Sequence, residues 1–290
     1  MHVLLTGAGG FNGRRLVDAL LADGHVVSAL VGREQRGSVL AARPNLEFLW
    51  GDLAESAVLP PRVDAVVHAA ARSWEPGVTT ESMVRDNASA TARLAAYAAG
   101  AGTRAVVYFS SVSVHGRISA PEVDENTPIV DPDVYGMTKL LGESLLAERA
   151  GDFASLAIRL PGVLGRGSVR NWLTRVVDAA KNRRPVSYFN PDAPFNNAVH
   201  VDDLAAFVVG VLKREWQGAD AVCLGAAKAV PLRRVVESVY GAFGDPGLAR
   251  IVPPVKTAFT ISSAKAAARY GYRPADTADI LARFVAENRS

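Results

Sequence analysis

Tyr135-Gly136-Met137-Thr138-Lys139 sets a phenol and an ammonium four residues apart. On a helix that spacing stacks both side chains on one face. An ammonium one turn from a phenol favours phenolate and is expected to bring the phenol below its usual pKa near ~10. Such a tyrosine passes a proton to or from a substrate oxygen near neutral pH. Ser110-Ser111-Val112-Ser113 closes the apolar run before that helix, so a hydroxyl can address the same oxygen. A second chemical signal opens the chain. Thr6-Gly7-Ala8-Gly9-Gly10-Phe11-Asn12-Gly13 lies between a short apolar run and a helical pattern. Glycines in such a loop permit a tight turn, let a pyrophosphate approach the backbone and allow close helix–strand packing. The helix N-terminus adds free N–H groups and the positive end of its dipole. A purely structural glycine turn is the alternative, and the strand–loop–helix context speaks against it.

The end of the second apolar run bears on which dinucleotide is bound. An NAD site places an acidic residue there for the ribose 2′-hydroxyl. This chain has Val31-Gly32-Arg33-Glu34. Arg33, with Arg14 directly after Gly13, suits a 2′-phosphate, so NADP is preferred over NAD. The alternative is a solvated Arg33 with Glu34 facing the ribose. Asp52 in Gly51-Asp52-Leu53 either accepts from an adenine amino group or caps a turn, and spacing alone favours the turn.

These groups need a scaffold. Apolar runs at 3–5, 25–31, 46–49, 64–70, 104–110 and 153–160 alternate with helical patterns at 11–22, 87–99 and 135–149. That order predicts an α/β fold, a doubly wound parallel sheet of the Rossmann type. Ligands of such sheets sit beyond the carboxyl ends of the strands. After residue 162, Gly and Pro punctuate the chain, and helices are expected at 170–181, 203–213, 232–242 and 279–288. The expected division is a dinucleotide-binding domain over 1–161, with 198–225 returning to it in part. A smaller C-terminal α/β substrate lobe takes up 162–290.

Composition narrows the class. The chain has 290 residues, 49% hydrophobic and 21% charged, which excludes disorder as the main state. No apolar run reaches the ~18 residues of a membrane helix. Met1–Gly7 is too short and uncharged for a signal peptide, and the single cysteine, Cys223, excludes an internal disulfide framework. A cytoplasmic location is expected. The net charge is +3, but no basic run of five residues occurs, so a small-molecule partner is expected, not a nucleic acid or a membrane. His68 and His200 lack carboxylate neighbours at metal spacing, so no metal site is expected. Cys223 reads as a buried strand residue, and 122–125 as a solvated acidic loop.

The ordered motifs resemble those of the extended short-chain dehydrogenase/reductases, or NAD-dependent epimerase/dehydratase family. The glycine loop matches its T-G-x-x-G-x-x-G. Asp64-Ala65-Val66-Val67-His68-Ala69-Ala70-Ala71 is similar to its D-x-V-x-H-x-A-A strand. Ser110–Gly116, Arg159–Gly165, His200–Ala205, Ser263–Ala266 and Gly271–Pro274 follow in family order. The resemblance implies that Tyr135 is the acid/base, that Lys139 holds the nicotinamide ribose and tunes Tyr135, and that Ser111 orients the substrate oxygen. It implies a cofactor against Gly7, Gly10, Phe11, Asn12, Gly13, Arg14, Arg33, Asp52, Leu53, Ala69, Ala70, Ala71, Asn87, Pro161 and Val163. It also implies a homodimer through the helices at 87–99 and 135–149.

The chain departs from the family in places. Dehydrating members carry T-D-E where this chain has Ser111-Val112-Ser113, so dehydration is not expected. Many sugar-nucleotide members carry an Arg-Asp pair just before the V-H-V-D-D element, where this chain has Phe195-Asn196-Asn197-Ala198; Arg166, Arg170 and Arg234 either compensate for the missing charge or, as spacing favours, are solvated surface arginines. His115 replaces a tyrosine. Trp74 lines the pocket or packs its own loop. The expected substrate contacts are Trp74, Ser111, Ser113, Tyr135, Arg166 and Asn197. The expected activity is reduction of a keto group, such as the 4-keto group of a deoxy-sugar nucleotide, with NADP or NAD and with Tyr135 as proton donor. The alternatives are an NAD-dependent sugar-nucleotide 4-epimerase and a dinucleotide-sensing protein without turnover.

Overall fold

The computed structural model describes residues 1–32, 41–55, 57–169, 171–244 and 246–289, so Arg33, Glu34 and Arg170 lie outside the described residues. The chain opens β1 (His2–Thr6), α1 (Phe11–Ala22), β2 (Val26–Val31), β3 (Leu46–Trp50) and β4 (Ala65–His68). Then α2 (Thr80–Met83) runs through a π-helical turn, Val84–Ser89, into α3 (Ala90–Gly100). Next come β5 (Ala105–Ser111), a 3₁₀ turn (Val112–His115), β6 (Glu122–Val123), α4 (Val134–Ala147), β7 (Ala154–Leu160) and β8 (Gly162–Leu164). The chain continues as α5 (Trp172–Lys181), β9 (Val186–Tyr188), β10 (Pro194–Phe195), β11 (Ala198–His200), α6 (Val201–Leu212) and β12 (Ala219–Cys223). It ends with β13 (Val230–Pro231), α7 (Leu232–Phe243), β14 (Ala249–Ile251), β15 (Thr260–Ile261), α8 (Ala264–Tyr270) and α9 (Thr277–Arg289).

Two compact units result. The first comprises Met1–Arg117, Ile129–Arg159 and Ala205–Val222. Its sheet has seven strands in the order β12-β7-β5-β4-β1-β2-β3. Neighbours from β3 through β2, β1 and β4 to β5 pair in parallel. Strands of a parallel sheet are covered on both faces, which is why β4 and β7 are mostly apolar and are buried along their whole length, Ser155 and Arg159 included. From β1 the chain winds outward to β2 and β3, then returns to β4 on the other side of β1. That reversal places the ligand crevice at the carboxyl ends of β1 and β4. There Thr6 stands in register with His68.

The second unit comprises Ile118–Pro128, Leu160–Leu204 and Cys223–Ser290. Helices α5, α7 and α9 bury Leu173, Val176, Val235, Val239, Ile280 and Phe284 in one core. The acidic segment expected as a solvated loop instead contributes β6, which pairs with β15. Glu125 beyond it accepts the Cys223 N–H at 2.6 Å. That pairing joins residues more than 130 positions apart, a separation that local periodicity does not register. Among the described residues no helix is long and apolar enough to cross a membrane.

Candidate active site

The glycine loop is closed by sterics. Gly7 has φ +71°, and a Cβ there would lie 2.7 Å from the Ala70 nitrogen. A Cβ on Gly13 would lie 2.0 Å from the Gly7 carbonyl oxygen. Gly10 caps α1 without a side chain to occupy the first N–H groups, and these groups suit an anion. Arg14 Nε donates to the Gly9 carbonyl at 3.0 Å and braces the loop. Asn12 Oδ1 is buried without a hydrogen-bond partner. A cradle that no Cβ could share, beside an orphaned acceptor, fits a dinucleotide pyrophosphate and its ribose hydroxyls.

A buried chain of hydrogen bonds runs from this loop to α4. Thr91 Oγ1 donates to the Asn87 carbonyl at 2.6 Å, so it accepts from His68 Nε2 at 3.0 Å. His68 Nδ1 then accepts from Thr6 Oγ1 at 2.7 Å. Burial first, and the charge of Lys139 second, lower His68 to about 3, which keeps the ring neutral. The π turn presents Asn87, whose Oδ1 accepts the Arg72 N–H at 2.7 Å. Its Nδ2 donates to the Arg72 carbonyl at 2.9 Å and to Thr138 Oγ1 at 3.0 Å. Asn87, expected against the cofactor, thus binds the loop following Ala69–Ala71 to the helix of Tyr135. A π turn inserted in a helix is a common device at functional sites.

Asp133 caps α4, accepting the Gly136 N–H at 2.7 Å, and so sets where Tyr135 starts the helix. Lys139, one turn on, is wholly buried. Its Nζ donates to the Phe109 carbonyl at 2.7 Å, 4.7 Å from the Tyr108 ring centroid and 6.0 Å from that of Tyr135. Ser111, at the end of β5, accepts the Ser113 N–H at 3.1 Å, leaving its own proton to point elsewhere. The expected lowering of the phenol is corrected here: burial, aided by Asp133, pushes Tyr135 up to about 12. Burial also lowers Lys139 to about 7, opposed by Glu143. The Lys139 ammonium, 6.0 Å from the ring centroid, does not offset the desolvation of the phenol.

Glu143, a further turn along α4, drew no attention in the sequence. Its carboxylate accepts from Ser110 Oγ, from Arg159 Nε at 3.1 Å and from Arg159 Nη2 at 2.8 Å. Arg159 Nη1 lies 3.3 Å from His115 Nε2. The signal was the i, i+4 repeat Tyr135, Lys139, Glu143.

The other expected residues fall as follows. Asp52 accepts the Ala54 N–H at 2.8 Å and lies 3.8 Å from Arg85, so it caps a turn. Leu53 is buried in the core, while Trp74 and Ser113 are exposed. Pro161 and Val163 belong to the second unit, where Val163 pairs with Val199. Arg166, also there, donates its N–H to Glu287 Oε2 at 2.8 Å, and Arg234 lies 3.9 Å from Glu237. Asn197 keeps a buried Oδ1 without a partner. Its neighbour Asn196 is a structural staple: Nδ2 donates to the Ala226 and Ile261 carbonyls, and Oδ1 accepts the Ile261 N–H at 2.8 Å.

His200, expected without carboxylate neighbours, has Glu287 at 3.4 Å and Asp202 at 3.6 Å. Helix α9 brings Glu287 in from 87 positions along the chain. Arg283 from the same helix donates to His200 Nδ1 at 2.7 Å and pairs with Asp203 at 2.8 Å. The Arg283 guanidinium thus already lies against His200, Asp202 and Asp203.

Comparison with known proteins agrees with this architecture. The model of the NAD dependent epimerase/dehydratase family matches residues 3–224. A 3 beta-hydroxysteroid dehydrogenase/Delta 5-->4-isomerase of Mycobacterium tuberculosis is 36% identical over 180 residues, or 57% of this chain; the match spans 48% of that protein. A UDP-glucose 4-epimerase of Azospirillum brasilense is 27% identical over 271 residues, covering 84% of this chain and 78% of the relative. Among solved structures, MoeE5 in complex with UDP-glucuronic acid and NAD shares the fold at a TM-score of 0.84 and 24% identity, over 100% of this chain and 99% of that one. A UDP-galactose 4-epimerase structure has a TM-score of 0.78 at 25% identity, over 100% and 98% of the two chains. Sequence motifs, sheet order and family match together place the chain in the NAD-dependent epimerase/dehydratase family.

Proposed function

We propose that the protein is an NAD(P)-dependent oxidoreductase that reduces a keto group, with Tyr135 as the proton donor. The supporting observation is that Ser111, Tyr135 and Lys139 gather in the same unit as the glycine loop. Gly7, Gly10, Gly13 and the start of α1 would hold the pyrophosphate, and Ala69–Ala71 with Lys139 the nicotinamide end. Arg14 and Arg33 favour NADP. The dinucleotide supplies the two-electron exchange when bound. Burial keeps Tyr135 protonated at rest, which suits a donor. Its hydroxyl gives the proton to the substrate oxygen, and Ser111 donates a hydrogen bond to that oxygen. The charge on Lys139 then stabilises the phenolate left behind. The 4-keto group of a deoxy-sugar nucleotide is the proposed substrate, and the proposed form is a cytoplasmic homodimer through α3 and α4. A second reading, sugar-nucleotide 4-epimerase, draws on the Azospirillum relative that matches most of the chain.

The test starts from nucleotide released by the denatured protein, followed by titration of the emptied protein with NADPH and NADH. An empty protein that binds NADPH more tightly than NADH, and then oxidises it with a ketone, supports the reductase. Stoichiometric retained NAD favours the epimerase and removes the NADP preference. Tyr135→Phe is expected to keep nucleotide binding and to lose about 100-fold or more in kcat. Unchanged turnover in that variant overturns the role of Tyr135.

A further inference from the structure

Glu143 and Arg159 form an ion pair that is about nine-tenths removed from solvent on both sides. Such a pair adds little net stability over apolar side chains of the same volume, but breaking it leaves a buried charge uncompensated. What it contributes here is geometry. Glu143 stands on α4, one turn beyond Lys139. Its carboxylate receives Ser110, the residue before Ser111, while the fork of Arg159 grips it from the end of β7. The third arm of Arg159 meets His115, which is wholly buried at the end of the 3₁₀ turn that begins after Ser111. Because a guanidinium only donates, His115 Nε2 is the acceptor and the ring proton sits on Nδ1. Four elements, α4, β5, β7 and the 3₁₀ turn, thus converge on one guanidinium–carboxylate fork, with Lys139 on α4 and Ser111 at the end of β5.

We propose that Glu143, Arg159 and His115 are positioning residues that hold Ser111 and the Lys139 ammonium in register with Tyr135. Glu143 acts on Lys139 as the anion one turn along the same face, and on Ser111 through its neighbour Ser110. His115 anchors the turn after Ser111 and acts on the serine alone. The two arms therefore predict different consequences. The proposal rests on Ser111, Tyr135 and Lys139 being the reacting groups.

The experiment uses the full-length protein labelled with ¹³Cε-lysine, in which the Lys139 resonance is assigned by its loss in Lys139→Arg and followed against pH. In Glu143→Gln, which keeps the side-chain shape and removes the charge, the Lys139 titration midpoint is expected to fall by about one pH unit or more. Its kcat is expected to fall at least 10-fold, with KM and nucleotide affinity within 3-fold of wild type. His115→Phe is expected to leave the Lys139 titration in place and still lose kcat. His115→Gln, whose carbonyl can accept from Arg159, is expected to restore it. A Lys139 titration unmoved by Glu143→Gln, or full kcat in His115→Phe, overturns the proposal. If Glu143→Gln fails to fold, the His115 pair still decides the serine arm by rescue or its absence. Failure of the underlying reading shows separately, as a wild-type protein that binds no dinucleotide, and the Lys139 titration decides the Glu143 arm even then.

Discussion

Lys139 is the residue at which burial and chemistry meet. Its ammonium is enclosed by the Phe109 carbonyl, the Tyr108 ring and Glu143, and burial lowers it to about 7. The unfolded chain keeps an ordinary lysine near ~10.4, so between those values the unfolded state binds more protons than the folded one. Stability from this group therefore rises with pH through that window, and its cost is fully present below it. Urea unfolding at pH 7 and pH 9 is expected to show wild type gaining on Lys139→Met by up to about 1.4 kcal/mol per pH unit. A difference between the two proteins that stays flat with pH would show that the lysine is not held as described. The same logic separates the two members of the Tyr-x-x-x-Lys pair. Their spacing is a property of the helix, whereas the direction of each pKa depends on what the rest of the fold lays over them.

The glycine loop and the π turn show how elements place groups that the residues alone do not. At Gly13 the space for a side chain is taken by the Gly7 carbonyl, a backbone atom that cannot swing aside. Gly13→Ala is expected to cost about 1–3 kcal/mol of stability by overpacking, and to weaken nucleotide binding by more than 10-fold as the loop is pushed open. The contrast is Gly210 in the last turn of α6, where an added Cβ meets nothing within 4 Å. Gly210→Ala is expected to gain about 0.5–1 kcal/mol and leave nucleotide binding alone. Thermal unfolding with NADH titration of the two variants checks both outcomes; equal effects would remove the steric account of the loop. The π turn works the other way, by adding a residue to the helical repeat. It delivers Asn87 to Arg72 and Thr138 together, where a regular helix would rotate it away.

At the scale of the molecule, the first unit leaves apolar side chains in water. Met137 and Leu141, one turn apart on α4, are 50% and 47% exposed, and Val84 on the adjoining π turn is 41% exposed. Exposed apolar groups that cluster on neighbouring helices mark an interaction surface. With a second copy of the chain as the proposed partner, the double variant Met137→Glu, Leu141→Glu is expected to run at half the mass of wild type in light scattering and to retain its folded circular dichroism. A wild type already of single-chain mass would sink the homodimer. The second unit carries its own internal clasp. Arg283 of α9 donates to His200 at the end of β11 and pairs with Asp202 and Asp203, so this unit's C-terminal helix is tied to its centre by charge as well as by the Ile280 and Phe284 core.

Local pattern was enough for much of this. Strands buried on both faces are mostly apolar, so β1, β2, β4, β5 and β7 were visible as runs. A pyrophosphate loop needs glycines at set intervals before a helix, so the Gly7–Gly13 segment was visible as well. The Tyr135–Lys139 pairing followed from helical spacing alone. Each of these is a constraint between residues a few positions apart. What tertiary structure decided depends on distant residues and on dielectric. The phenol of Tyr135 is raised, not lowered, because burial, with the charge of Asp133 beside it, disfavours the phenolate. Glu143 meets Arg159, and Arg159 meets His115, only when α4, β7 and the 3₁₀ turn converge. Asp52 caps a turn, Asn196 staples Ala226 to Ile261, and Glu287 reaches His200 from the far end of the chain. Burial and long-range contact are properties of the folded chain, so spacing along the sequence carries no record of them.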